Sequence, residues 1–281
     1  MNRSRRNSLL CPNCRKLISS DEAQCPYCGI ARPGAWWKNS AWTRGVSDAD
    51  QLIRAVIVAN IGMYIASLLI EPGLLRLSAN PFSFLSPDNR SLLLLGATGT
   101  IPIDRLNRWW SLVSANFLHG GLLHIFFNMA AFRQLAPLVI REYGNYRMAT
   151  IYMVGGTAGF WISYLARVTF TIGASAAVCA LMGAILYYGK SRGGLYGQSI
   201  YRQVGTWALM IFLFGFLAPG INNWAHGGGL LSGALLGFLL GYHERRPERL
   251  FHKFLAAVCI LLTVLILAWA LISGVYYRFG A

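Results

Sequence analysis

Long apolar runs restrict this chain more than any other feature. The clearest extends from Phe254 to Tyr277 without one acidic or basic side chain. About 20 such residues cross the hydrocarbon of a bilayer as a helix. Seven candidate spans can be read, at 52–70, 122–140, 148–166, 172–189, 204–219, 224–242 and 254–275. The spans exclude a water-soluble globule, and composition agrees: 55% of residues are hydrophobic and only 12% charged, against about 25% charged in soluble domains. Disorder is excluded on the same grounds. A net charge of +15 would elsewhere suggest nucleic acid, but in a membrane-type sequence Lys and Arg are first orientation signals. The expected surroundings are a lipid bilayer, with no nucleic-acid partner.

With the N-terminus inside, 17 of the 25 Lys and Arg lie on the cytoplasmic side and 6 outside, while Arg54 and Arg133 fall within spans. That imbalance predicts a cytoplasmic N-terminus and an external C-terminus. No cleavable signal peptide is expected, because a long polar stretch precedes the first apolar run. A bacterial inner (plasma) membrane is the expected location. The loop over 71–121 is too long to be structureless. Its stretches Pro81–Pro87, Leu92–Leu95 and Leu106–Trp110 predict packed structure at the outer interface, with Trp109 and Trp110 at headgroup depth.

Near the N-terminus, Cys11-Pro-Asn-Cys14 is followed ten residues later by Cys25-Pro-Tyr-Cys28-Gly29. Two such turns present four thiolates, the set a tetrahedral Zn²⁺ takes, with iron as the other candidate. Two disulfides are the alternative, disfavoured in a reducing cytosol. With all four ligands from protein, the metal would be structural, and so short a segment would fold only around it. The organisation read from this is a cytosolic zinc-ribbon-like segment at 1–35 with an unidentified protein partner, a linker at 36–51 and a membrane domain at 52–277. Cys179 and Cys259 lie inside spans and are read as packing residues.

Polar side chains inside spans are functional candidates by default. Here they are His124 and Asn128 in the second span, Ser175 in the fourth and His226 in the sixth, with His119 just outside the second. All three spans run from outside inward, so the four groups share one depth near the outer face. Ser175 and His226 suggest a nucleophile and its general base. None of the ten Asp and Glu falls inside a predicted span; Asp88 and Asp104 in the outer loop are the acids able to approach, so a Ser–His dyad is the simplest arrangement. His124 and Asn128, four residues apart on one helical face, can donate to an oxyanion, with the Ser175 N–H as a third donor. Reading His119, His124 and His226 as a metal site is disfavoured, since it lacks a carboxylate or a His-Glu-x-x-His pattern. Gly229, Gly233, Gly237 and Gly241 in the sixth span, and Ala176, Ala180, Gly183 and Ala184 in the fourth, form small-residue ridges for close packing.

Three motifs in order resemble the rhomboid family of intramembrane serine proteases: Phe117-Leu118-His119 through His124 to Asn128-Met129, Gly173-Ala174-Ser175-Ala176, and Ala225-His226-Gly227-Gly228-Gly229. The resemblance implies an all-α polytopic fold, a rhomboid-like bundle of six helices with a seventh appended. It implies Ser175 as nucleophile, His226 as base and acid, and His124 and Asn128 at the oxyanion, with no cofactor for catalysis. The implied activity is cleavage of transmembrane protein substrates near the outer membrane face. Two departures stand out. Trp110 is followed by Ser111 where the family usually has Arg, with Arg108 two residues before Trp110. Ala176 and Ala180 stand where glycines are usual, and their methyls are expected to separate the fourth and sixth helices slightly. The alternative function is an inactive rhomboid-like protein that binds transmembrane helices and recruits partners through its zinc ribbon.

Overall fold

A computed structural model describes residues 8–12, 14, 16–35, 48–71, 76–77, 84–217 and 220–280. It divides into two units, Met1–Leu52 and Ile53–Ala281. Most of the expected linker at 36–51 lies outside the described residues, as do Pro81 and the end of the fifth predicted span at 218–219.

In the smaller unit, β1 (Ser8–Leu10) pairs antiparallel with β2 (Leu17–Ser19), with Leu9 opposite Ile18. The hairpin is too small for an apolar core of its own. What it packs instead is Cys11, Ile18 and Cys25, all buried together. Gly29 adopts φ 71°, closing the second Cys turn with its N–H on the Cys25 carbonyl at 2.9 Å.

The larger unit is helical. The long helices are α1 (Ala49–Ile70), which enters the larger unit at Ile53, α4 (Leu122–Tyr143), α5 (Asn145–Leu165), α6 (Ser175–Arg192), α7 (Gly194–Leu217), α8 (Asn223–Leu240) and α9 (Leu250–Phe279). Each overlaps one of the seven apolar runs, although α7 begins ten residues before the predicted 204. Four of them, α1, α4, α7 and α9, are long and apolar enough to cross a membrane on those criteria alone. The other three pack against one another at the centre of the unit, where glycine and alanine replace bulky side chains. The protein is an all-α polytopic membrane protein.

Residues 84–121 are ordered, as their apolar clusters require. β4 (Phe84–Ser86) pairs with the short β3 (Arg76–Leu77). Then come α2 (Asn89–Leu94), a π turn at Ile101–Arg105, α3 (Ser111–Ser114) and a 3₁₀ turn at Ala115–Phe117. Trp109 stays half exposed and stacks with Trp161 and Tyr164 near the end of α5, the amphipathic placement that suits an interface. Arg108 donates to the Leu93 carbonyl at 2.6 Å and lies over the rings of Trp110 and Tyr277. Helix α9 packs along α5 and against α2 and α3. Its end is held by Arg278, which pairs at 3.0 Å with the buried carboxylate of Glu71.

Backbone contact between α6 and α8 is the feature that matters for function. A Cβ added at Gly233 would lie 1.8 Å from the Ala180 carbonyl oxygen, and one at Gly229 would lie 2.2 Å from that of Ala176. Gly241 does not join this ridge, because it terminates α8 with φ 69°. The methyls of Ala176 and Ala180 do not separate α6 from α8. They point at α5, where Gly159 and Gly155 leave room: a Cβ at Gly159 would sit 3.2 Å from Ala176 Cβ, and one at Gly155 would sit 2.4 Å from Ala180 Cβ. The expected separation is thus corrected, since each alanine faces a glycine of a third helix.

Candidate active site

Ser175 is the first residue of α6, and its position follows from the turn before it. Gly173 has φ 126°, a conformation that disfavours any side chain, and its N–H donates to the Ala115 carbonyl at 2.9 Å. A Cβ there would meet His124 Nε2 at 2.9 Å and lie 3.6 Å from Ser175 Oγ. Glycine therefore allows the His124 ring to approach the serine. As an initial helical residue, Ser175 also has a backbone N–H without an intrahelical partner, at the positive end of the helix dipole.

His226 lies in the first turn of α8 and is almost fully buried. Its Nε2 is 2.9 Å from Ser175 Oγ. Two helices held by glycine-to-carbonyl contact can keep that distance short. Phe212 of α7 meets the imidazole edge-on, with ring centroids 6.3 Å apart. The Nδ1 atom of His226 is buried and has no hydrogen-bond partner, so among the described residues no carboxylate orients this ring. Asp88 caps α2 by accepting the Arg90 N–H, while Asp104 accepts the Tyr164 hydroxyl and pairs with Arg167. Helix α4 extends past its predicted end to include Glu142, roughly 27 Å along the axis from His124 at 1.5 Å per residue.

His124 is oriented from behind. Its Nδ1 accepts the Gly120 N–H at 3.2 Å, and the Gly120 carbonyl in turn accepts the Ser86 hydroxyl at 2.7 Å. An accepting Nδ1 leaves the proton on Nε2, the atom beside Gly173. Asn128 is placed differently: its amide donates to the His124 carbonyl at 3.0 Å, one turn back along α4. His119 is wholly buried, edge-on to the His124 ring at 5.1 Å between centroids. Burial first, and the neighbouring His124 second, hold its imidazole well below the ordinary histidine range. It makes no metal set with His124 and His226. Among the described residues, the one group of His, Cys and carboxylate side chains close enough to share an ion is Cys11, Cys14, Cys25 and Cys28.

In that group, Sγ of Cys11 and Cys28 are 3.7 Å apart, as are those of Cys14 and Cys25. Disulfide sulfurs would be about 2.05 Å apart, whereas four thiolates around Zn²⁺ at about 2.3 Å stand about 3.8 Å from one another. The four cysteines fit a tetrahedral ion of that size. Cys179 and Cys259 are free thiols within helices.

One group of residues was not apparent from the sequence. Asn222 precedes α8; its Oδ1 accepts the Ala225 N–H at 3.0 Å, and its Nδ2 donates to Ser163 Oγ at 2.6 Å and Thr171 Oγ1 at 3.0 Å. An Asn four residues before His226, at the start of an apolar run, is a legible cap signal. Its two tertiary partners are not legible that way.

The rhomboid domain family matches residues 106–243. The chain is 28% identical to RHOMBOID-like protein 4 of Arabidopsis thaliana over 205 residues, 67% of this chain and 52% of that protein. To RHOMBOID-like protein 6, mitochondrial, of the same plant it is 33% identical over 187 residues, 64% of this chain and 58% of that one. To rhomboid protease GluP of Bacillus subtilis it is 31% identical over 160 residues, 56% of this chain and 31% of that one. The match thus spans about half the length of the plant relatives.

Proposed function

This chain is a membrane protein with a rhomboid domain, and on that premise we propose that it is an intramembrane serine endopeptidase working through a Ser175–His226 dyad. The observation that carries the proposal is the 2.9 Å contact between Ser175 Oγ and His226 Nε2, made between two helices in the interior of a membrane bundle. Ser175 Oγ attacks the scissile carbonyl carbon while its proton passes to His226 Nε2. The oxygen that gains the negative charge accepts hydrogen bonds from His124 Nε2 and the Ser175 backbone N–H. Each such donor lowers the barrier by about 3–4 kcal/mol. Asn128 joins them only by turning its amide away from the His124 carbonyl. His226 then returns the proton to the leaving amine. A water molecule, deprotonated by His226, hydrolyses the acyl-serine and restores the enzyme.

Both reacting groups sit in the first turn of their helices, so the proposed substrates are transmembrane segments cut near the face where α4, α6 and α8 begin. The bias of Lys and Arg makes that the outer face, with a cytoplasmic N-terminus. A helical peptide bond is shielded by its own turn, so a substrate must unwind to reach Ser175. The inactive-binder alternative is weakened at both departures from the family pattern: the Ser111 hydroxyl donates to Thr98 Oγ1 at 2.9 Å within the outer loop, and the Ala176 methyl faces Gly159. The proposed domain limits are a zinc-ribbon-like segment at 1–35, a linker at 36–51 and a membrane domain at 52–277. We assign Zn²⁺ to Cys11, Cys14, Cys25 and Cys28, where it would join the two Cys turns in place of a core. The test is cleavage of a panel of reporter transmembrane segments in liposomes. Cutting by the wild type and none by Ser175→Ala supports the protease; no cutting of any reporter, with the fold intact, favours the binder.

A further inference from the structure

We propose that Asn222 is a positioning residue that sets the distance between His226 and Ser175 by joining three elements through one side-chain amide. The proposal rests on the dyad reading above. The Oδ1 end caps α8 at the Ala225 N–H, and the His226 N–H itself bonds the Asn222 carbonyl at 3.1 Å. Asn222 thus defines the first turn of the helix that carries the base. The Nδ2 end ties that turn to Ser163, near the end of α5, and to Thr171, four residues before Ser175. Thr171 is in turn fixed to the outer loop by paired backbone bonds with Thr98, at 3.0 and 2.8 Å.

The need for such a device follows from what His226 lacks. Among the described residues none hydrogen-bonds its Nδ1; the contacts on its ring are the serine at 2.9 Å and the edge of Phe212. Glycine ridges fix the separation of α6 and α8, and Ser232 ties α8 to the Gly155 carbonyl of α5 at 3.1 Å and Asn223 to the Phe212 carbonyl of α7 at 3.3 Å, but none of these reaches the segment that leads into Ser175. The Asn222 amide, one turn from the histidine, makes that connection through Thr171. The sites it reaches are buried: Ser163 is fully enclosed and Thr171 nearly so. Water therefore does not readily replace a lost partner, and breaking the link leaves unsatisfied groups.

Two kinds of variant separate this role from simple helix capping. Asn222→Ser keeps an oxygen to cap Ala225 but is too short to reach Ser163 and Thr171. Ser163→Ala with Thr171→Val keeps Asn222 and its cap while removing both acceptors. Each is expected to lower kcat for a transmembrane reporter by about tenfold to a hundredfold, the range a misplacement approaching 1 Å produces, with KM unchanged. Combining the two should bring no further loss, because one link is removed twice. Wild-type kcat in both variants, an equal change in KM, or losses that multiply would overturn the proposal. If the combined partner variant fails to fold, the nearly isosteric Ser163→Ala and Thr171→Val singly carry the same test. A fluorophosphonate applied to the wild type separates the two levels. Modification of Ser175 with unchanged variants refutes the positioning role alone, whereas an unmodified wild type refutes the dyad and this role with it.

Discussion

Replacing Gly229 with alanine tests the geometry at its tightest useful point. The new Cβ would lie 2.2 Å from the Ala176 carbonyl oxygen, whereas ordinary contact begins at 3.4 Å. Neither neighbour can yield easily, because the oxygen belongs to the backbone of α6. The shortfall of about 1.2 Å must come from separating the helices, since close-packed interiors hold no spare volume. Were α8 to take up the whole of it, the 2.9 Å contact between Ser175 and His226 would open to about 4 Å, beyond hydrogen-bond reach. A displacement of that size lowers the rate by about a hundredfold, and overpacking removes about 1–3 kcal/mol of stability. The assay is the second-order rate of fluorophosphonate labelling in lipid nanodiscs, with thermal unfolding followed on the same samples. Gly227→Ala, two residues away, is the control: among the described residues its Cβ would meet Phe212 alone, at an ordinary 3.6 Å. Labelling of that variant should stay within about threefold of wild type, because a substitution that crowds nothing shifts energies by only about 0.5 kcal/mol. If folded Gly229→Ala labels as fast as wild type, the claim that helix contact sets the dyad distance is wrong.

Three further outcomes are expected. Gly173→Ala places a methyl 2.9 Å from His124 Nε2 at a backbone φ of 126°, so labelling and cleavage should both fall, by about a hundredfold if the ring moves 1 Å. His124→Ala removes one oxyanion donor and should lower kcat by about 10²–10³-fold with little change in KM, read from reporter cleavage. Cys11→Ser with Cys14→Ser should abolish bound zinc, measured by elemental analysis, and unfold the hairpin of the smaller unit. The rate of Ser175 labelling should be unaffected; its loss would contradict a separate structural module.

Much of this architecture can be read along the chain, for identifiable reasons. Each long helix overlaps an apolar run: α1, α4, α7 and α9 carry the length and apolarity that hydrocarbon demands, while α5, α6 and α8 are marked by the small residues that close packing needs. The ends are less legible: α9 starts at Leu250 and α4 runs on to Tyr143, since a helix does not stop where its hydrocarbon-matched stretch does. The shared depth of His124, Ser175 and His226 follows from alternating direction alone, and the structure brings all three together. Asn128, chosen by the same face argument, instead bonds its own helix, which spacing cannot foresee. Nor can spacing say which neighbour an alanine faces. The small-residue pattern sets Ala176 and Ala180 against the sixth span, yet their methyls meet glycines of α5. The contacts of Phe212 and Asn222 join elements far apart in the sequence and leave no periodic trace. The outer loop announces packing through its apolar clusters, but its elements are too short for any period to show.

The most direct test of the central claim is mass-spectrometric mapping of the residue modified by a fluorophosphonate on the purified protein in lipid, for wild type, Ser175→Ala and His226→Ala. A dyad predicts a single adduct on Ser175 in the wild type and none in either variant. An adduct elsewhere, or one on Ser175 that forms equally well without His226, would contradict it.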